Sequence, residues 1–136
     1  MPVLGEEEAA RRLREYDILP TQQRLQIAQL LLVRDQHLSA DQVLELVNET
    51  GNRVSKATVY NTLNLLAEKG LLVPRTLREG RTVFDPNLER HHHLIDTGTG
   101  EIHDVPWDAI EVSNVAGLEG LDVREYQVVM RGRKSR

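Results

Sequence analysis

Five side chains in this sequence join imidazole nitrogen to carboxylate oxygen as prospective metal ligands: His37, Asp85, His91, His93 and Asp104. Three of them fall in or next to a His-rich stretch with strand character. Alternate residues of a strand share a face, so His91 and His93 can address one ion while His92 points away, and Asp104 on the next strand-like segment can reach the same side. Mixed nitrogen and oxygen ligation suits Fe(II), Mn(II) or Zn(II). The chain has no cysteine, which excludes disulfides, iron–sulfur ligation and thiolate zinc sites. An ion that also drew on His37 and Asp85 would tie distant segments together and act as a conformational clamp. The plainer alternative is a surface histidine run that binds metal adventitiously. On its own His37 reads as a loop histidine, and His103 as an ordinary exposed one.

The elements that must position these ligands fall into two patterns. The first half reads as consecutive helices: a charged one over Glu6 to Tyr16, then one opened by Pro20-Thr21 with Leu25, Ala28 and Leu32 at helical spacing. Ser39 caps a third, with Val43, Leu46 and Val47 inward and Gly51 closing it, and Ser55 caps a fourth that ends at Gly70. In the fourth, Val59, Leu63 and Leu66 make the buried stripe while Lys56, Tyr60 and Asn64 follow one another on another face. Leu71 to Arg75 and Arg81 to Phe84 then predict a hairpin around Glu79-Gly80. The sum is a winged helix-turn-helix, with a polar recognition helix for the major groove and an Arg-bearing wing for phosphates.

Asp85-Pro86-Asn87 reads as a break or hinge. Beyond it come strand-like Leu94-Ile95, a turn over Thr97 to Gly100, strand-like Glu101 to Val105, a short helix from about Trp107, and a strand from Leu121 to Arg131. The expected class is therefore α+β, with a winged helix-turn-helix over residues 1–84, a hinge over 85–90 and a small α/β dimerisation and metal-sensing domain over 91–136. A unit of that size is expected to complete its sheet by forming a homodimer, which supplies the two-fold symmetry of palindromic operators.

Charge sorts along the chain in the same way. The net charge is −4, yet Arg53 to Arg81 holds six Lys/Arg against two Glu, and Thr82 to Gln127 holds two Arg against ten Asp/Glu. The basic block is the candidate phosphate-facing surface, with a solvated charge face as its alternative, and the acidic half is where cations would go. No signal segment and no apolar run long enough to span a bilayer is present, so a cytoplasmic protein without membrane association is expected.

Pro20-Thr21 with Arg24-Leu25, His37 before an Ala-Asp pair, Thr58-Val59-Tyr60-Asn61-Thr62-Leu63, Gly70-Leu71, Phe84-Asp85 and the span His91 to Asp104 together resemble the ferric uptake regulator superfamily. The triple histidine, the cysteine-free Thr-Gly-Thr-Gly-Glu turn, Ile110 to Asn114 and the Arg-Gly-Arg-Lys ending are most similar to its iron response regulator (Irr) branch. The resemblance implies a metal-dependent dimeric transcription factor whose regulatory site would be His37, Asp85, His91, His93 and Asp104. It places Tyr60 at bases of a double-stranded operator, with Lys56, Thr58, Asn61, Asn64 and Arg81 as further DNA contacts. Asn61 stands where Arg is frequent, and Leu19 stands where many members carry a basic residue. The Cys-x-x-Cys of a structural zinc site corresponds to Asp96 and Thr99. A second metal site found in some members would map to Arg90, His92, Glu111 and Tyr126, of which only His92 and Glu111 can ligate.

These readings predict a metal-responsive regulator, a repressor of iron or metal homeostasis genes, with Fe(II) as the favoured ion and Mn(II) or Zn(II) as alternatives. Haem at the same histidines is a second possibility, because imidazole ligates haem iron. A peroxide sensor of the same fold is a third, suggested by aspartate at position 104. From another class comes a small zinc hydrolase using His91 and His93 with an open water position.

Overall fold

The computed structural model describes residues 3–34, 36–49, 53–78 and 80–135. Its chain divides into two compact units, Met1–Leu88 and Glu89–Arg136. Gly51 and Glu79, expected at a helix end and a turn, lie outside the described residues.

The first unit runs α1 (Glu6–Glu15), α2 (Gln22–Leu31), α3 (Ala40–Glu49), α4 (Lys56–Glu68), β1 (Val73–Arg78) and β2 (Arg81–Asp85). Local chemistry starts and stops these helices. Thr21 Oγ1 accepts the Arg24 N–H at 3.3 Å, and Ser55 Oγ accepts the Thr58 N–H at 3.1 Å. At α3 the exchange is reciprocal: Ser39 Oγ accepts from Gln42 N–H while Gln42 Oε1 accepts from Ser39 N–H, a capping box that satisfies two otherwise orphaned donors. Helix α4 ends with the Leu71 N–H on the Leu66 carbonyl and the Gly70 N–H on the Ala67 carbonyl. That closure needs a left-handed residue, and Gly70 sits at φ 87°. Helix α1 closes in the same pattern with Asp17 at φ 58°.

Leu13, Ile27, Leu31, Val43, Val47, Val59, Leu63 and Leu66 form the core between these helices. Leu46, expected inward, is half-buried and packs against this core. Strands β1 and β2 pair antiparallel with Val73 opposite Asp85. Asp85 thus closes the second strand of the wing, where the sequence alone suggested that the strand stops at Phe84.

The second unit contains β3 (His91–Asp96), β4 (Ile102–Pro106), a 3-10 turn (Trp107–Ala109) and β5 (Val129–Gly132). The sheet order is β4-β3-β5, antiparallel on one side and parallel on the other. The turn between β3 and β4 is held by Asp96, whose Oδ1 accepts the N–H groups of Gly98 (2.7 Å) and Thr99 (3.1 Å). These bonds hold its carboxyl below the ordinary aspartate range. The long final strand expected over Leu121 to Arg131 is shortened to four residues. Residues 121–125 are exposed and pair with no strand among the described residues, so the alternation in the sequence has no ladder there to satisfy the backbone.

Candidate metal centre

In the first unit, His37 and Asp85 are brought together by a bridge between segments that are far apart in sequence. Leu38 pairs antiparallel with Phe84, and the Phe84 N–H donates to the Leu38 carbonyl at 2.9 Å. One residue further along each segment, His37 Nε2 lies 3.6 Å from Asp85 Oδ1. The Asp85 carboxylate is fully buried and its oxygens are shared out. Oδ2 accepts from Arg75 Nε at 2.9 Å, while Oδ1 accepts the Asn87 N–H at 3.0 Å and faces His37. A buried carboxylate needs such partners to remain charged.

In the second unit, His93 lies directly opposite Asp104 in the β3–β4 register, and opposed residues of a sheet share a face. Nε2 of His91 and Nε2 of His93 are 3.0 Å apart. Asp104 Oδ1 lies 3.5 Å from the first and 3.7 Å from the second. All three side chains are buried or nearly so.

The far nitrogens decide what this cluster wants. His91 Nδ1 lies 2.5 Å from the Glu89 carbonyl oxygen, and His93 Nδ1 lies 2.7 Å from Gln127 Oε1. Both partners are acceptors, so both Nδ1 atoms carry the ring proton and donate it. In the neutral rings both Nε2 lone pairs then face each other beside a carboxylate oxygen. Three electron-rich atoms at such distances call for a cation among them, and a histidine that donates its other N–H to a carbonyl is the usual preparation of a metal ligand. The donor set therefore fits a divalent ion of the Fe(II), Mn(II), Zn(II) class. Because the two Nε2 atoms converge on one point, the geometry favours one bare ion over haem, which presents a large planar face to each ligating ring.

His92 takes the opposite arrangement. Its Nδ1 accepts the Val128 N–H at 2.9 Å, its proton is consequently on Nε2, and its ring stacks on Trp107 with centroids 4.4 Å apart. The Arg90 guanidinium lies 4.0 Å from the Trp107 ring centre, and Tyr126 leans on the same indole. Glu111 is exposed. The weak second metal site suggested for His92 and Glu111 thus has one of its donors spent on a backbone N–H and its neighbourhood filled by aromatic rings and a cation. His103 is half-buried, with Nε2 3.7 Å from Glu101 Oε2.

The expected DNA-facing residues separate by environment. Lys56, Tyr60, Asn61 and Asn64 are exposed on α4, and Arg81 is exposed at the start of β2. Thr58 is half-buried, and its hydroxyl accepts from Ser55, so it serves the helix cap. Tyr60 donates its phenol to Asp41 Oδ1 at 3.2 Å, with Lys56 Nζ 5.7 Å from its ring centre. The sequence reading missed Arg75, Gln127 and Asp41 as partners of the candidate residues. The first two act across strands or over long chain separations and leave no local motif, whereas Asp41 figured only in the Ala-Asp pair of the resemblance.

The sequence model of the ferric uptake regulator family matches residues 17–131. A peroxide-responsive repressor, PerR, of Staphylococcus aureus is 27% identical over 128 residues, which cover 93% of this chain and 86% of that protein. The solved structure of the ferric uptake regulator from Pseudomonas aeruginosa with manganese is 28% identical, with a TM-score of 0.67 and coverage of 94% of this chain and 98% of the other. The ferric uptake regulator from Francisella tularensis with iron gives 25% identity, a TM-score of 0.69 and coverage of 85% and 90%.

Proposed function

The chain belongs to the ferric uptake regulator family of metal-responsive transcriptional regulators, and on that premise we propose that it is a homodimeric repressor whose DNA affinity is set by one divalent ion per chain. The ion takes ligands from both units: His37 and Asp85 from the first, His91, His93 and Asp104 from the second. The observation that carries this reading is the pair of imidazoles whose Nδ1 protons are already committed to acceptors, leaving Nε2 of each beside Asp104. Residues 1–84 act as the DNA-binding domain, 85–90 as hinge, and 91–136 as the dimerisation and sensing domain. Tyr60, Asn61, Asn64 and Lys56 present hydrogen-bonding groups to the major groove, and Arg81 lies along the phosphates. Free energy released on metal binding becomes DNA affinity to the extent that the ion prefers the geometry in which the two recognition helices match successive turns of the groove.

Fe(II) is the favoured physiological ion, with Mn(II) and Zn(II) as competitors of similar donor preference. No helix among the described residues is long and apolar enough to cross a membrane, and the protein acts in the cytoplasm, as a regulator and not an enzyme. The test is DNA affinity at one stated salt concentration, using an operator selected from random duplexes, with and without Mn(II). Wild-type protein is expected to bind more tightly with metal, and His91→Ala and His37→Ala are each expected to abolish that difference. Survival of the metal response in His37→Ala would restrict the site to the second unit and end the clamp mechanism.

Peroxide response is the second reading, favoured by aspartate at position 104 beside two imidazoles and in keeping with the name of the staphylococcal relative. It predicts one added oxygen on His37 or His91 after Fe(II) and peroxide. Mass spectra without that adduct would remove it.

A further inference from the structure

We propose that Gln127 is a positioning residue for the metal centre: its side-chain oxygen selects the His93 tautomer that offers Nε2 to the ion. This inference rests on the metal-binding reading above. A neutral imidazole carries one proton, which rests on either nitrogen, and only the other nitrogen ligates. For His93 the choice is made by Gln127 Oε1, an acceptor 2.7 Å from Nδ1. The amide lies 34 residues away in sequence, in the segment leading into β5.

A glutamine on a loose segment would be a poor orienting group, because its side-chain entropy opposes a single pose. Gln127 is held on both sides. The Val128 N–H donates to His92 Nδ1 at 2.9 Å, and the Val128 carbonyl accepts the His93 N–H at 3.0 Å. On the other side the Tyr126 ring leans on Trp107, with centroids 4.9 Å apart. Gln127 and Val128 thus grip three features of β3, the His92 ring, the His93 backbone and the His93 ring. Gln127 itself is half-buried, so its bond to Nδ1 is partly shielded from competing water. His91 needs no side chain for the same purpose, because the Glu89 carbonyl does it from the backbone. Gln127 is therefore the point at which substitution can retune the pair without touching a ligand.

The test compares Gln127→Leu, Gln127→Asn and Gln127→Glu with wild type. In metal-free protein, nitrogen-15 spectra of the imidazoles are expected to show His93 protonated on Nδ1 in wild type and in Gln127→Glu, and a mixture of tautomers in Gln127→Leu. Mn(II) affinity by chelator competition is expected to fall roughly 10- to 100-fold in Gln127→Leu and to be kept or improved in Gln127→Glu. Gln127→Asn keeps the amide but draws it back by one methylene, and an intermediate loss is expected; this variant decides the matter if the leucine variant does not fold. A merely structural glutamine would lower the melting temperature without moving the tautomer. Wild-type tautomer and affinity in the folded leucine or asparagine variant would overturn the assignment and leave the metal reading standing. Failure of wild-type protein to take up Mn(II) would overturn both.

Discussion

The two units bury different kinds of side chain. In the first, Leu13, Ile27, Leu31, Leu63 and Leu66 are sealed from water among four capped helices, which is the ordinary hydrophobic route to stability. In the second, the buried side chains among the described residues are Ile95 and the three histidines His91, His92 and His93. A unit of that size has little apolar area to bury and falls in the range where metals or partner chains are usually required. The difference teaches that the first unit has a core of ordinary hydrophobic kind, while the second is organised by hydrogen bonds around the candidate metal ligands. Under the proposed function a sensor benefits from that division, since the part proposed to read DNA keeps its shape while the part proposed to read metal responds to it.

The sharpest way to break this comparison is to attack the first unit at the buried Asp85 carboxylate. Replacing Arg75 by Met removes the guanidinium from the buried Asp85 carboxylate, and a loss of about 3–5 kcal/mol is expected in denaturant unfolding followed by helical circular dichroism. A loss below about 1 kcal/mol would mean that water reaches Asp85 and that the first unit is less sealed than its burial implies. Next in size is metal dependence. Saturation at about 100 times Kd contributes roughly 2.7 kcal/mol to whatever folds around the ion. Metal-free protein is expected to lose Trp107 fluorescence structure at a lower temperature than α-helical signal, and Mn(II) to bring the two transitions together. Coincident transitions without metal would erase the proposed contrast.

A smaller effect follows from Asp96, whose carboxyl lies below its ordinary value of 3.8 because it accepts the Gly98 and Thr99 N–H groups. A depressed folded-state value contributes stability above the unfolded value, and that contribution is lost as pH falls through the folded one. Asp96→Ala is therefore expected to lower the melting of the second unit at pH 7, with the gap to wild type closing below about pH 4, where the unfolded carboxyl protonates. A gap that stays constant in acid would assign the effect to packing. The smallest change is Asp17→Gly, which relieves a left-handed non-glycine residue at the end of α1 and is expected to add up to about 1 kcal/mol to the first unit alone.

The sequence made the first unit legible because its signals are local. Ser39, Ser55 and Gly70 act on residues within one turn of themselves, and α4 declares its buried stripe by period. The alternation of His91, His92 and His93 was equally local, and β3 sends neighbours to opposite faces as a strand must. What escaped was long-range. The Leu38–Phe84 bridge, the grip of Arg75 on Asp85 and the bond from His93 to Gln127 join residues with no periodic relation to one another. The expected strand over Leu121 to Arg131 failed for the complementary reason: alternation marks what can pair, but a ladder also needs a neighbouring strand.

The stacking of Trp107 on His92 has a practical consequence. This is the chain's one tryptophan, and its indole rests on the ring of His92, between the two candidate ligand histidines of β3. Tryptophan emission therefore comes from a single site, stacked on the residue next to either imidazole that would meet the ion. The protein carries its own optical gauge, so titrations of metal, peroxide or operator can be followed on unlabelled material in the same cuvette.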